Sequence, residues 1–144
     1  MKFKAFCGLA ATLFATTTAI AADTNADIYS CNFRGTDDML LPDQILLARS
    51  DADGSYRVAD PILRYYADDG DGDNALVDVL RENNKMVSLS WNYTIINNKG
   101  TQAKVLVNFS LQKKRNRAQI ASKIPGYLNH DTARGTCTKR RGNV

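Results

Sequence analysis

The sequence predicts an all-β domain on three observations: apolar residues that recur at every second position, turn-forming clusters at near-regular intervals, and two cysteines placed far apart near the domain ends. The strongest alternation is Met86 to Ile96. Val87, Leu89, Trp91, Tyr93 and Ile95 share one face, and Ser88, Ser90, Asn92 and Thr94 share the other. A slip of one residue would exchange core for polar groups, so the register is well specified. Asn97-Asn98-Lys99-Gly100 then supplies residues that tolerate positive φ, and a second run follows with Ala103, Val105, Val107, Phe109 and Leu111 inward and Lys104, Asn108 and Ser110 outward. Together these runs predict a hairpin that carries Trp91 in the core.

The remaining strands are shorter. Asp27 to Phe33 carries Cys31, and Gln44 to Arg49 joins Tyr56 to Ala59 through the Asp53-Gly54 turn. Pro61 removes a ladder donor and predicts an edge or bend before a strand at Ile62 to Tyr66. Leu76 to Leu80 reads as a strand ended by Arg81-Glu82-Asn83-Asn84, and Ala118 to Ser122 and Thr132 to Thr138 complete the set. Short strands in this number suit a single antiparallel up-and-down barrel of lipocalin-like size, or a two-sheet sandwich, either one closed by one disulfide. A bridge between the first and last strands favours the barrel, because it acts where a rolled sheet must close and hide its edges.

The N-terminus predicts export. Lys2 and Lys4 precede an uncharged run from Ala5 to Ile20 that ends in Ala19-Ile20-Ala21-Ala22, so residues 1–22 read as a cleavable secretory signal and 23–144 as a single β domain. Thr12, Thr16, Thr17 and Thr18 weaken the run as a membrane span, and no transmembrane segment is expected after cleavage. Cys7 leaves with the signal. Cys31 and Cys137 remain, and a pair of cysteines in an oxidising compartment, periplasmic or extracellular, predicts a disulfide. By the chain-entropy argument, closing so long a loop stabilises the fold by roughly 4 to 5 kcal/mol.

Charge is divided along the chain. Residues 23–78 hold thirteen aspartates against four arginines, a balance of −9, whereas residues 79–144 hold thirteen lysines and arginines against Glu82 and Asp131, a balance of +11. Two arrangements follow: a dipolar surface if the halves stay apart, or internal ion pairing if acidic and basic strands become neighbours. The basic patch Lys113, Lys114, Arg115 and Arg117 is the candidate binding surface, with a protein or an anionic envelope component as its partner. Nucleic acid is disfavoured, because the aromatic residues that would stack on bases fall on the inward face.

Asp69, Asp71 and Asp73 lie in an oxygen-rich loop that offers three calcium ligands at EF-hand spacing. The pattern then departs: Asn74 stands at the turn glycine and Leu80 at the bidentate glutamate, so a solvated acidic turn is the expectation. No cofactor is expected. His130 is the only histidine, Ser122 and Asp131 are its nearest triad partners by residue type, and no Gly-x-Ser-x-Gly elbow occurs. The sequence therefore predicts a non-catalytic binding module, with a small-ligand carrier or an inhibitor of an extracellular hydrolase such as lysozyme as alternatives. In architecture the chain is similar to small periplasmic lysozyme inhibitors, which share the signal, the barrel and a cysteine near each end. Their Ser-Gly inhibitory segments have no counterpart, since Gly54-Ser55-Tyr56 differs in order and spacing.

Overall fold

The computed structural model describes residues 25–37, 40–66, 75–96, 98–128 and 130–143. The predicted signal (1–22) and the calcium candidates Asp69, Asp71 and Asp73 lie outside the described residues. Nine strands form one antiparallel sheet: β1 (Asn25–Arg34), β2 (Gln44–Ser50), β3 (Tyr56–Ala59), β4 (Ala75–Leu76), β5 (Asp78–Glu82), β6 (Met86–Ile96), β7 (Gln102–Gln112), β8 (Arg117–Lys123) and β9 (His130–Asn143). A helix, α1 (Pro61–Tyr66), separates β3 from β4. The sheet order β4-β3-β2-β1-β9-β8-β7-β6-β5 places every strand beside its sequence neighbour and joins β1 to β9. Because only Val77 separates β4 from β5, they act as one kinked strand that pairs first with β3 and then with β6. The result is a nearly closed up-and-down barrel of eight strands, not a sandwich.

The β6–β7 hairpin has the predicted register, with Trp91 opposite Val107 and Leu89 opposite Phe109. Val87, Leu89, Trp91 and Tyr93 are buried with Val105, Val107, Phe109 and Leu111. A barrel of this strand number is just wide enough for side chains to fill. Here Phe33 of β1 meets Phe109 of β7 edge to face across the interior, at a centroid distance of 6.4 Å. Phe33 reaches inward over Gly135, its register partner on β9. A Cβ at Gly135 would collide with the backbone oxygen of Asn32 and with the Phe33 ring, so the close approach of β1 and β9 requires glycine there.

Cys31 and Cys137 are direct partners on β1 and β9 and form a disulfide, with a Cα–Cα separation of 4.0 Å. The Cys137 N–H is donated to Asn116 O on the β8 side, which leaves Cys31 and Cys137 as a non-hydrogen-bonded pair whose side chains lie close. The bridge thus reinforces the joint between the first and last strands, which pair along all of β1. The weaker joint is the kinked β4–β5 strand, and side chains close it.

The predicted strand at Ile62–Tyr66 is instead α1. Asp60 makes the difference: its Oδ1 accepts from the N–H groups of Ile62 and Leu63, capping the helix, and Pro61 occupies the first helical position, where its missing N–H costs nothing. The apolar residues that suggested a strand cover one end of the barrel. Leu63 is buried, and Tyr66 stacks on Tyr93 with centroids 5.7 Å apart. The second Asp60 oxygen accepts from the Trp91 indole Nε1 at 2.9 Å, a buried hydrogen bond that ties the helix start to β6. Arg81 and Glu82, predicted as turn, belong to β5, and the turn begins at Asn83, whose side-chain oxygen accepts from the Lys85 and Met86 N–H groups.

Candidate functional site

The two barrel ends differ in chemistry. One end carries the β1–β2 loop, α1 and the β8–β9 loop; there Leu41 is buried and the Tyr93 hydroxyl donates to Leu40 O. The other carries the turns β2–β3, β5–β6 and β7–β8 together with the far end of β9, and it is sealed by charge. Oε1 of Glu82 accepts from the Tyr56 hydroxyl at 2.8 Å, Lys113 Nζ at 2.8 Å and Arg49 Nε at 3.2 Å. Desolvation would raise the Glu82 pKa, but the hydrogen bonds from Lys113 and Tyr56, with the nearby cations, outweigh it and hold the carboxyl below its ordinary value. Burial, reinforced by Glu82, pushes the Tyr56 hydroxyl well above the ordinary phenol range. Nearby, Asp27 pairs with Lys139 at 2.8 Å and Arg141 at 3.0 Å, and Arg141 reaches Asp51 at 2.9 Å.

Those contacts divide the predicted basic patch. Lys113 is committed to Glu82, and Lys114 is exposed on the β7–β8 turn. Arg115 and Arg117 line a groove of about 370 Å³ on the outer surface, where they meet Arg134 of β9. Strand register explains the meeting. Arg134 lies opposite Gln119, Gln119 opposite Ser110, and Ser110 opposite Ser88, a row that crosses β9, β8, β7 and β6. The next row runs from Thr136 through Arg117 and Gln112 to Met86. Strand alternation turns all of these side chains outward, while Ala118, Ile120, Phe109 and Leu111 between them are buried.

Among the described residues lining the groove, none is acidic. Arg115, Arg117 and Arg134 take part in no ion pair among the described residues. Each offers a planar, permanently charged fork of donors, and Gln112, Gln119 and Ser110 add groups that both donate and accept. The arrangement is suited to hold an anion together with neutral hydroxyl groups. Arg134 and Gln119 were not singled out from the sequence, and Ser110 was read there only as an outward strand residue. The available signal was the polar alternation of β7 and β8, read through the hairpin register.

A second depression, of about 320 Å³, lies beside Leu46, Asp60 and Pro61. Asp60, the one carboxylate among its described lining residues, is already committed to Trp91, Ile62 and Leu63. The triad residues named above do not converge. Ser122 and Asp131 oppose each other across β8 and β9, whereas His130 pairs with Lys123 on the alternate face, and Asp131 accepts from the Leu40 N–H. Comparison of the chain with protein-family models, curated proteins and solved structures gives no match, so the site is read from its geometry.

Proposed function

We propose that the protein is an exported, non-catalytic binding module whose outer β6–β9 surface takes anionic ligands. The observation that carries this reading is the groove itself, in which Arg115, Arg117 and Arg134 converge with no carboxylate among the described lining residues. The disulfide is compatible with an oxidising compartment outside the cytoplasm. Two further features support a binding role on the outside of the barrel over ligand carriage within it: aromatic side chains meet across the interior, and the Asp60–Trp91 hydrogen bond is buried at its helical end.

Amide chemical-shift mapping during titration with inorganic pyrophosphate tests the reading. Saturable shifts should cluster at Arg115, Arg117, Gln119 and Arg134, and they should weaken as salt is raised, because the site is open to solvent. Shifts confined to Lys139 and Arg141 at the barrel end, or no saturable shift anywhere, would overturn it.

A further inference from the structure

We infer that the occupant of the groove is a linear acidic polysaccharide lying across strands β9 to β6; this rests on the anion-binding reading above. Three properties of the surface select that chemistry. First, the groove spans four adjacent strands, about 14 Å at a strand spacing of about 4.8 Å, which is the reach of an extended chain and not of one small anion. Second, its charges are interspersed with neutral hydrogen-bonding groups. Arg134 and Arg117 sit diagonally on neighbouring strands, and beside them Gln119, Gln112 and Ser110 continue the two rows through the groove as neutral polar groups. Sugar hydroxyls both donate and accept, and so do glutamine amides and serine hydroxyls, whereas arginine forks match carboxylates or sulfates. Third, among the described residues the groove has no aromatic lining, which removes the stacking platforms that single-stranded nucleic acid uses. The exposed aromatics Tyr65 and Tyr127 lie instead at the opposite barrel end, away from the arginines that would face an anionic membrane.

The groups are also held before binding. Arg117, Gln119, Arg134, Ser110 and Gln112 stand on paired strands, so little backbone ordering accompanies association. Only Arg115 comes from a turn, and that turn is fixed by its N–H donating to Gln112 O and by Asn116 O accepting from Cys137 N–H.

Calorimetric titration of the purified, disulfide-bonded protein distinguishes the possible sources of the anion. The probes are an oligogalacturonate, a neutral glucan oligosaccharide of equal length, inorganic pyrophosphate, an oligothymidylate and phosphatidylglycerol vesicles. Saturable binding of the oligogalacturonate, with little or none of the neutral glucan, is expected. Arg117→Ser combined with Arg134→Ser should weaken it roughly tenfold or more, while the charge-matched pair Lys114→Ser and Arg140→Ser should change it less than about threefold. Gln119→Ala should weaken the oligogalacturonate more than it weakens pyrophosphate, because only the sugar presents hydroxyls that can use both the donor and the acceptor of that amide. Thermal melts of each variant confirm that the fold is intact. Tighter binding of vesicles or oligothymidylate than of oligogalacturonate would overturn the polysaccharide assignment, as would equal binding of the neutral glucan. If pyrophosphate still bound through Arg117 and Arg134 in either case, the anion-binding reading would stand; if no anion bound, both would fall.

Discussion

Replacing Asp60 by asparagine tests how the helical end of the barrel is held. Asparagine retains an oxygen for the Ile62 and Leu63 N–H groups and caps a helix as well as aspartate does. It then turns an NH₂ group toward the Trp91 indole N–H, and the 2.9 Å hydrogen bond is lost. A hydrogen bond to a charged acceptor contributes about 1.5–3 kcal/mol. Against this, the substitution removes a carboxylate that is only 1% exposed, whose burial pushes its pKa above the ordinary value despite the donors at Trp91, Ile62 and Leu63. The net loss at neutral pH is therefore about 1–2 kcal/mol. The two contributions separate with pH. A raised folded-state pKa means that Asp60's contribution is complete below the unfolded carboxylate range and is lost as pH rises through the folded-state value. Asparagine has no such dependence, so the deficit of D60N should be largest near about pH 3 and shrink toward about pH 7. Urea melts followed by the fluorescence of Trp91, the only tryptophan, measure it at each pH. A deficit that grew with pH, or one below about 0.5 kcal/mol throughout, would refute the reasoning.

Glu82→Gln should behave oppositely: its depressed folded-state pKa gives stability that is present above the ordinary glutamate range and lost as pH falls through the lowered value, so the deficit should vanish in acid. Its size at neutral pH should be about 1 kcal/mol, falling with added salt because the site is partly open to solvent, and urea melts at two ionic strengths check this. Serine at both Cys31 and Cys137 should lower unfolding stability by up to roughly 4 to 5 kcal/mol, and intact mass before and after reduction should differ by two hydrogens in the parent protein alone. Gly135→Ala should cost about 1–3 kcal/mol by forcing β1 away from β9; a thermal melt unchanged from the parent would show that the joint has slack.

Strand faces were legible wherever one side of the sheet is buried. The β6–β7 hairpin is the clear instance, because a slip of one residue exposes Leu89 and Trp91 while burying Ser88 or Ser90. The disulfide was legible from the cysteine count. The helix at Pro61–Tyr66 was not, although Asp60-Pro61 is a good helix start, since one turn and a half of helix is too short to impose a 3.6-residue period on its apolar residues. The groove was half legible. Arg115 and Arg117 stand in an evident basic run, but the same run contains Lys113, which points to Glu82, and the third arginine lies on β9. Adjacency in sequence does not separate residues that alternate across a strand or reverse at a turn; register does.

The divided charge of the sequence resolves through topology. In an up-and-down meander, order along the chain becomes order around the barrel, so β6 to β9, which belong to the basic half, remain contiguous in space. Mixing with the acidic half occurs where the barrel closes. There Asp27 and Asp51 meet Lys139 and Arg141, and Arg49 crosses the other joint to Glu82. These pairs use charges at the strand ends, turned toward the barrel mouth. The outward arginines, Arg117 at the start of β8 and Arg134 on β9, have Gln112, Thr136, Gln119 and Arg34 as register neighbours, so even where β9 meets β1 of the acidic half no carboxylate stands opposite them. Ion pairing and surface asymmetry are therefore both present, on different faces of the same strands: the first closes the barrel, and the second leaves a positive groove whose described lining residues include no carboxylate.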